Sequence, residues 1–500
     1  MSSRKRSFLE GVFVDLLGTP VTMITGIIII PLYLNYINSN QYGIWTTALD
    51  FITLLTLMNS GINIQIIQIM NSLKNDESEI NLSSIFIYQI LIILLITSLS
   101  ILGFLYFPAF NEIYESENTR VVLITSMIFI LIISSLNSWF NSVIQGQNRV
   151  GLSNFLNYFT KLSYQLMPVV LMAYGFKILS FPLAYLISTI LLFLFYVYIL
   201  KKFILERFKN VAIKIENLRN NFLFSFKMFF GSVSYYILNF TDTLIIANYL
   251  SPHYVTIYVM TIKSSQVLRF ITPKLLSSTF PTINQLISEE NYKRLNELTI
   301  KFYKLSLRYG IFFFMLIIFF NKIFVDFWVG KEFYGGYFLT ICAAIICLKE
   351  SMFVVFTNII FATKDIKHIN IILFIEAMFN LVFSVLLVEH YGINGVILSS
   401  VVSSCIFSLA YSVLKTSDII KMEVNKLIYP TIITFIKSMP SIACLVICHL
   451  FINYENNFLG LFISITLFFT LNFLMFEAFI ILKYRKLNFK GILNKILYEL

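Results

Sequence analysis

Long apolar runs broken by short polar reversals dominate the chain, and about fourteen of them reach the roughly 20 residues a helix needs to cross a bilayer's hydrocarbon core. The runs predict membrane helices over about 12–35, 42–71, 83–107, 120–144, 153–174, 178–200, 223–250, 254–281, 305–328, 336–361, 369–389, 394–414, 431–452 and 458–482. Composition points the same way: 58% of residues are hydrophobic and 13% charged, with 52 Phe and 28 Tyr, which excludes an ordinary water-soluble domain. The aromatic residues are expected on lipid-facing and interfacial surface.

A net charge of +11 suits either nucleic acid or a membrane protein with an asymmetric charge distribution, and position decides between them. With the N-terminus inside, 26 of the 37 Lys and Arg fall on inner segments and three, Arg120, Lys177 and Lys331, on outer links. That asymmetry predicts a multi-pass protein of the cell (inner) membrane with both termini cytoplasmic, and no nucleic-acid partner. Arg4-Lys5-Arg6 introduces an apolar stretch that runs past Ile30 without a small-residue cleavage site, so it reads as a first span rather than a signal peptide. The five cysteines lie in predicted helices without ligand spacing and read as packing residues; no metal site is expected.

Internal similarity predicts a duplication. At an offset of 213, Asn35-Tyr36-Ile37 falls on Asn248-Tyr249-Leu250 and Ile44-Trp45 on Ile257-Tyr258; at 217, Tyr174-Gly175 falls on Tyr391-Gly392. A six-span unit begins and ends on one side, so its copy would be a parallel pseudo-repeat. The expected organisation is a first lobe over 1–200, a cytoplasmic linker over 201–222, a second lobe over 223–415, and two further helices with a basic tail over 416–500. The fold class is an all-α integral membrane protein.

The reversal Asn38-Ser39-Asn40-Gln41-Tyr42-Gly43-Ile44-Trp45, the Asn59-Ser60-Gly61-Ile62 step and Asp242-Thr243-Leu244-Ile245-Ile246 resemble the polysaccharide transporter family. That family includes O-antigen (lipopolysaccharide) and capsule flippases and sits in the multidrug, oligosaccharidyl-lipid and polysaccharide (MOP) exporter superfamily, alongside the MATE transporters. Asn59 and Thr243 stand where many relatives carry Asp and Arg, so roles tied to those charges do not carry over. The resemblance implies alternating-access movement of an undecaprenyl-pyrophosphate-linked oligosaccharide from the inner to the outer leaflet. It also implies contact with membrane lipids and with the polymerase and glycosyltransferases of the same pathway.

Charges inside predicted spans are the candidate chemistry, because a charge at the bilayer centre costs about 2.5–3.5 kcal/mol unless it faces a cavity or a partner. Lys263 lies roughly 13 Å in from Tyr254 at helical rise, close to the midplane. Arg269 and Lys274 follow toward the inner surface, and on one continuous helix Lys263 and Lys274 would share a face as a cationic ladder. Lys263 reads either as a cavity cation or as the partner of a buried Asp242, and Lys274 also fits snorkelling. Asp50 overlays Lys263 at the 213 offset and shares a predicted face with Gly61 and Gln68. Lys349 is a further candidate cation, set against its neighbour Glu350, and Glu376 is a candidate ion site. The expected substrate-binding set is therefore Lys263, Arg269, Lys274 and Lys349, since Lys and Arg give charge-assisted hydrogen bonds to a pyrophosphate. Asp50, Asp242 and Glu376 are expected in proton or sodium coupling or in structural ion pairs.

Three function classes meet this pattern. A lipid-linked oligosaccharide flippase requires deep cations, whereas a MATE-type multidrug cation antiporter calls for a central acid. A membrane polymerase or glycosyltransferase needs catalytic residues on a sizeable outer loop, and the outer links are short, with no paired carboxylate or DxD-type motif. No catalytic residue, cofactor or Gly-rich nucleotide loop is identified, so the expectation is a transporter without direct ATP drive.

Overall fold

The computed structural model describes residues 3–72, 76–106, 117–207, 215–276, 279–363 and 367–451, with Thr466 and Thr470. Among the described residues the chain is helical throughout, without strands. Helices α1 (Ser3–Leu34), α2 (Ser39–Thr56), α3 (Ser60–Ser72), α4 (Asp76–Tyr106), α5 (Glu117–Gly146), α6 (Val150–Ala173) and α7 (Ser180–Arg207) cover the first six predicted spans. Then come α8 (Ile215–Tyr249), α9 (Pro252–Arg269), α10 (Ile271–Leu276), the short α11 (Phe280–Ser288), α12 (Tyr292–Trp328) and α13 (Tyr337–Ala362). The last are α14 (Lys367–Tyr391), α15 (Ile393–Ser404), α16 (Ala410–Ile420) and α17 (Val424–Phe451). The described residues contain 9 helical runs long and apolar enough to cross a membrane. The fourteenth predicted span, 458–482, lies outside the described residues apart from Thr466 and Thr470.

The exposed surface is that of a membrane protein. Along α1 the outward residues Leu9, Phe13, Leu16, Ile24 and Ile28 recur at helical spacing and stay exposed, while Thr22 on another face is buried. An apolar stripe of that length turned away from the core requires lipid beside it.

Contacts divide the chain into two units, Met1–Thr256 and Ile257–Leu500. In the first, α1 packs on α6, α6 and α5 on α7, α3 on α5, and α8 against α2 and α3. The boundary thus differs from the expected linker at 201–222, because the seventh span, α8, packs in the first unit. The reason is a close backbone approach: a Cβ on Gly61 of α3 would lie 2.5 Å from Ser225 Cα of α8, so only glycine admits α8 at this depth. In the second unit α12 packs on α13, α14 on α15, α13 on α15 and α16, and α17 on α12. Its buried core includes a cluster of Leu286 of α11, Leu295 and Tyr303 of α12, Phe356 of α13 and Leu427 of α17. The ninth span is longer than expected: α12 runs 37 residues, with Asn291 as its N-cap accepting from Arg294 N.

The first reversal has a defined local cause. Asn38 Oδ1 accepts from Gln41 N at 2.8 Å and Gln41 Oε1 accepts from Asn38 N at 3.3 Å, a capping box that starts α2 immediately after the turn. This turn meets its counterpart 213 residues on. Ser39 Oγ lies 2.7 Å from His253 Nδ1, and Thr256 Oγ1 donates to Ser39 O at 2.6 Å. A Cβ on Gly43 would fall 1.8 Å from Pro252 O. Ser39 matches Pro252 and Gly43 matches Thr256 at that offset, so Ser39 touches Thr256 while Gly43 touches Pro252. Reciprocal contacts of this kind are what a local two-fold axis produces.

Candidate functional site

In the first unit the second span is interrupted. Residues Leu57–Asn59 form a single 3-10 turn between α2 and α3. Three residues at 3.0 rather than 3.6 per turn advance the face by about 60°. Asp50 and Gly61, on either side of the turn, both meet α8, Asp50 through Thr243 and Gly61 against Ser225, while Gln68, two helical turns beyond Gly61, is exposed.

The break turns polar groups into the unit. Asn59 Nδ2 donates to Ser135 Oγ at 3.1 Å, and Gln89 Nε2 donates to Asn59 Oδ1 at 2.9 Å. One turn on, Asn63 Nδ2 pairs with Ser138 Oγ at 2.7 Å. Beside them lies a cavity of about 270 Å³, whose walls include Asn59, Ser60 and Asn63 from the broken span, Ser134 and Ser138 of α5, and the rings of Tyr185 and Tyr236. None of its lining residues is charged.

Asp50 has a partner that sequence reasoning missed. Thr243 Oγ1 of α8 donates to Asp50 Oδ2 at 2.7 Å. Thr243 was conspicuous only as a departure from the family pattern; its hydroxyl tethers a carboxylate where an Arg would neutralise one. Asp242, its neighbour, is half-buried in the same unit.

In the second unit Lys263 is half-buried on α9, Arg269 is half-buried, and Lys274 is exposed. The expected single-faced ladder through Lys263 and Lys274 is not formed, because α9 ends at Arg269 and α10 starts at Ile271. Pro273 causes the break: it lacks an N–H, and its ring collides with the carbonyl four residues back, that of Arg269.

Lys349 of α13 is buried, with Nζ 3.1 Å from Glu350 Oε1 and 4.4 Å from the centre of the Phe353 ring. Adjacent helical residues diverge by 100°, and the long lysine side chain bends back across that gap. Glu376 of α14 is 1% exposed, in the electrostatic reach of Lys349 and Glu350 and hydrogen-bonded to Ser408. Arg269 acts on Glu350 from α9, so Arg269, Lys349, Glu350 and Glu376 form one charged cluster. Among the described residues, Glu376 Oε2 has no hydrogen-bond partner. Ser408 lies in a π turn, Cys405–Leu409, inserted between α15 and α16. Such single-turn insertions recur at functional sites, and no sequence signal announced this one. Arg308, near the start of the predicted ninth span, is also buried, on α12.

Known proteins share this architecture. The structure titled lipid II flippase MurJ, inward closed conformation, superposes with a TM-score of 0.72 at 15% identity, covering 94% of this chain and 100% of that one. An inward-facing multidrug resistance MATE transporter of the MOP superfamily superposes with a TM-score of 0.57 at 13% identity, covering 80% of this chain and 99% of the other. These likenesses establish the fold. No curated protein sequence matches. Residues 8–287, from α1 through α11, match the family described as polysaccharide biosynthesis protein. This match spans more than half of the chain, which is therefore a multi-pass membrane protein of the polysaccharide biosynthesis family, built on the fold of the MOP superfamily transporters.

Proposed function

We propose that the protein is a flippase that carries an undecaprenyl-pyrophosphate-linked oligosaccharide from the cytoplasmic to the outer leaflet of the cell membrane. The observation that carries this reading is the polysaccharide biosynthesis match over residues 8–287 on a MOP transporter fold. The chemistry is suited to it. A pyrophosphate cannot cross hydrocarbon bare, and Lys263, half-buried on α9, supplies a deep cation with Arg269 one helical stretch below it. Polymerase and glycosyltransferases would supply and consume the substrate on either side.

Coupling to a proton or sodium gradient belongs to the same proposal. Glu376 and Asp50 are the candidate carboxylates for it: each is held by one hydroxyl, Ser408 and Thr243 respectively, and Glu376 Oε2 is in addition buried without a hydrogen bond. Asp242 remains the alternative, as an ion site or as one half of a structural ion pair.

The test is a proteoliposome assay with a fluorescent undecaprenyl-pyrophosphate glycan and an impermeant quencher. The purified chain should speed translocation at least tenfold over protein-free vesicles, and Lys263→Ala should abolish that gain while Lys263→Arg keeps part of it. No acceleration by the wild type, with extrusion of a lipophilic cation in the same vesicles, would replace the flippase reading by a multidrug one.

A further inference from the structure

We propose that the cavity beside the break in the second span is a binding site for one uncharged pyranose ring of the transported glycan. The proposal rests on the flippase reading and adds to it the part of the substrate that the deep cations do not address.

Size, chemistry and position all point to that ligand. At about 270 Å³ the cavity lies just under the roughly 300 Å³ lower bound of small-molecule sites, room for a single ring rather than a whole repeat unit. Of its lining residues, all but Leu57 carry a hydroxyl or an amide. Sugar hydroxyls both donate and accept, and Asn and Ser side chains do the same, so each can satisfy the other. Tyr185 and Tyr236 present apolar faces with polar tips, which suits a ring that is itself apolar on its C–H faces and polar at its rim. A phosphate or uronate would find no cation in the lining, which separates this site from the charged cluster around Lys349. Broken membrane helices commonly line substrate sites, and here the 3-10 turn supplies Leu57 and Asn59 while Ser60 and Asn63 follow directly.

A purely structural role accounts for only part of the arrangement. The Asn63–Ser138 and Asn59–Ser135 bonds fasten α3 and the preceding turn to α5. Fastening needs no cavity, and Ser60 Oγ in the same wall is buried with no hydrogen bond to the protein. An open space lined by amides and hydroxyls within the membrane span must hold water or a polar ligand.

The test uses the full chain in nanodiscs with glucose, galactose and N-acetylglucosamine as probes, and glucuronate as the anionic control. Saturation-transfer NMR should show transfer to at least one of the three neutral sugars and less to glucuronate. Ser60→Leu fills the cavity without breaking a hydrogen bond of the protein, and Tyr236→Ala removes an aromatic wall. Each should weaken the neutral-sugar signal at least tenfold while the melting temperature stays within a few degrees of wild type. Absence of transfer to all three neutral sugars, or undiminished transfer in both folded variants, overturns the proposal. The proteoliposome assay separates the two readings. Glycolipid translocation by a wild type that fails the sugar experiment removes only the sugar site, and sugar binding without translocation removes only the flippase.

Discussion

Two half-buried carboxylates are held in opposite ways, and the difference is measurable. Asp50 is bound by a neutral hydroxyl, Thr243, at 2.7 Å, whereas Glu350 is bound by a cation, Lys349, at 3.1 Å. Thr243→Val deletes only the hydroxyl and should cost about 1 kcal/mol, within the range of hydrogen bonds between membrane helices. Asp50→Asn keeps an acceptor for Thr243 and should cost less; denaturation in detergent compares the two. Lys349→Met strands Glu350 and Glu376 without their shared cation, and breaking buried pairs costs up to about 3–5 kcal/mol. The double variant Lys349→Met/Glu350→Gln should recover much of that loss. A double-mutant cycle with no coupling would show that the pair does not hold the cluster together.

At the scale of elements, helix interruptions place the chemistry. The 3-10 turn at 57–59 opens the polar cavity, the break at Phe270 takes Lys274 out of line with Lys263, and the π turn at 405–409 brings Ser408 to Glu376. Deleting Phe407 should convert the π turn into regular helix and move Ser408 off Glu376. The expected result is a gradient response as weak as that of Glu376→Gln in the proteoliposome assay, and a wild-type response would detach the π turn from coupling. Glycines decide where helices meet. Gly61→Ala places a methyl 2.5 Å from Ser225 Cα and Gly43→Ala places one 1.8 Å from Pro252 O. Both obstacles are backbone, so each variant should lose about 1–3 kcal/mol on thermal melting. A small effect at Gly43 would mean that the Ser39–Thr256 contact forms without close approach.

For the whole molecule, the charge distribution predicts the orientation that the proposed function requires, with links at Asn40 and Phe176 outside and Glu289 inside. Single cysteines at the first two positions of a cysteine-free variant should react with an impermeant thiol reagent in intact cells, and one at Glu289 only after lysis. Labelling in the reverse pattern would invert the topology and, with it, the direction of transport. Two contact units divided after Thr256 also predict that limited proteolysis of the purified chain leaves α8 with the first unit. Release of α8 with the second unit instead would favour the division at 201–222.

Sequence alone determined the helical membrane architecture, because about 20 consecutive apolar residues have no other stable form in lipid and each run carries that signal locally. It also singled out the charges within apolar runs, since Lys263, Lys349, Glu350, Glu376 and Asp50 stand out against apolar neighbours whatever the packing. The 213-residue offset was legible too, and the reciprocal contacts of Ser39 and Gly43 follow from it. Partnership was not legible. Thr243 and Asp50 are far apart in the chain, and Ser408 reaches Glu376 only through a π turn whose single extra residue leaves no compositional mark. The ladder of Lys263 and Lys274 failed because helical periodicity holds only while the helix is continuous, and Pro273 ends it at Arg269. Periodicity and hydropathy act between near neighbours in sequence; cavities, ion-pair partners and the packing of α8 depend on which helices touch, and that is set by side-chain shape across the whole assembly of helices.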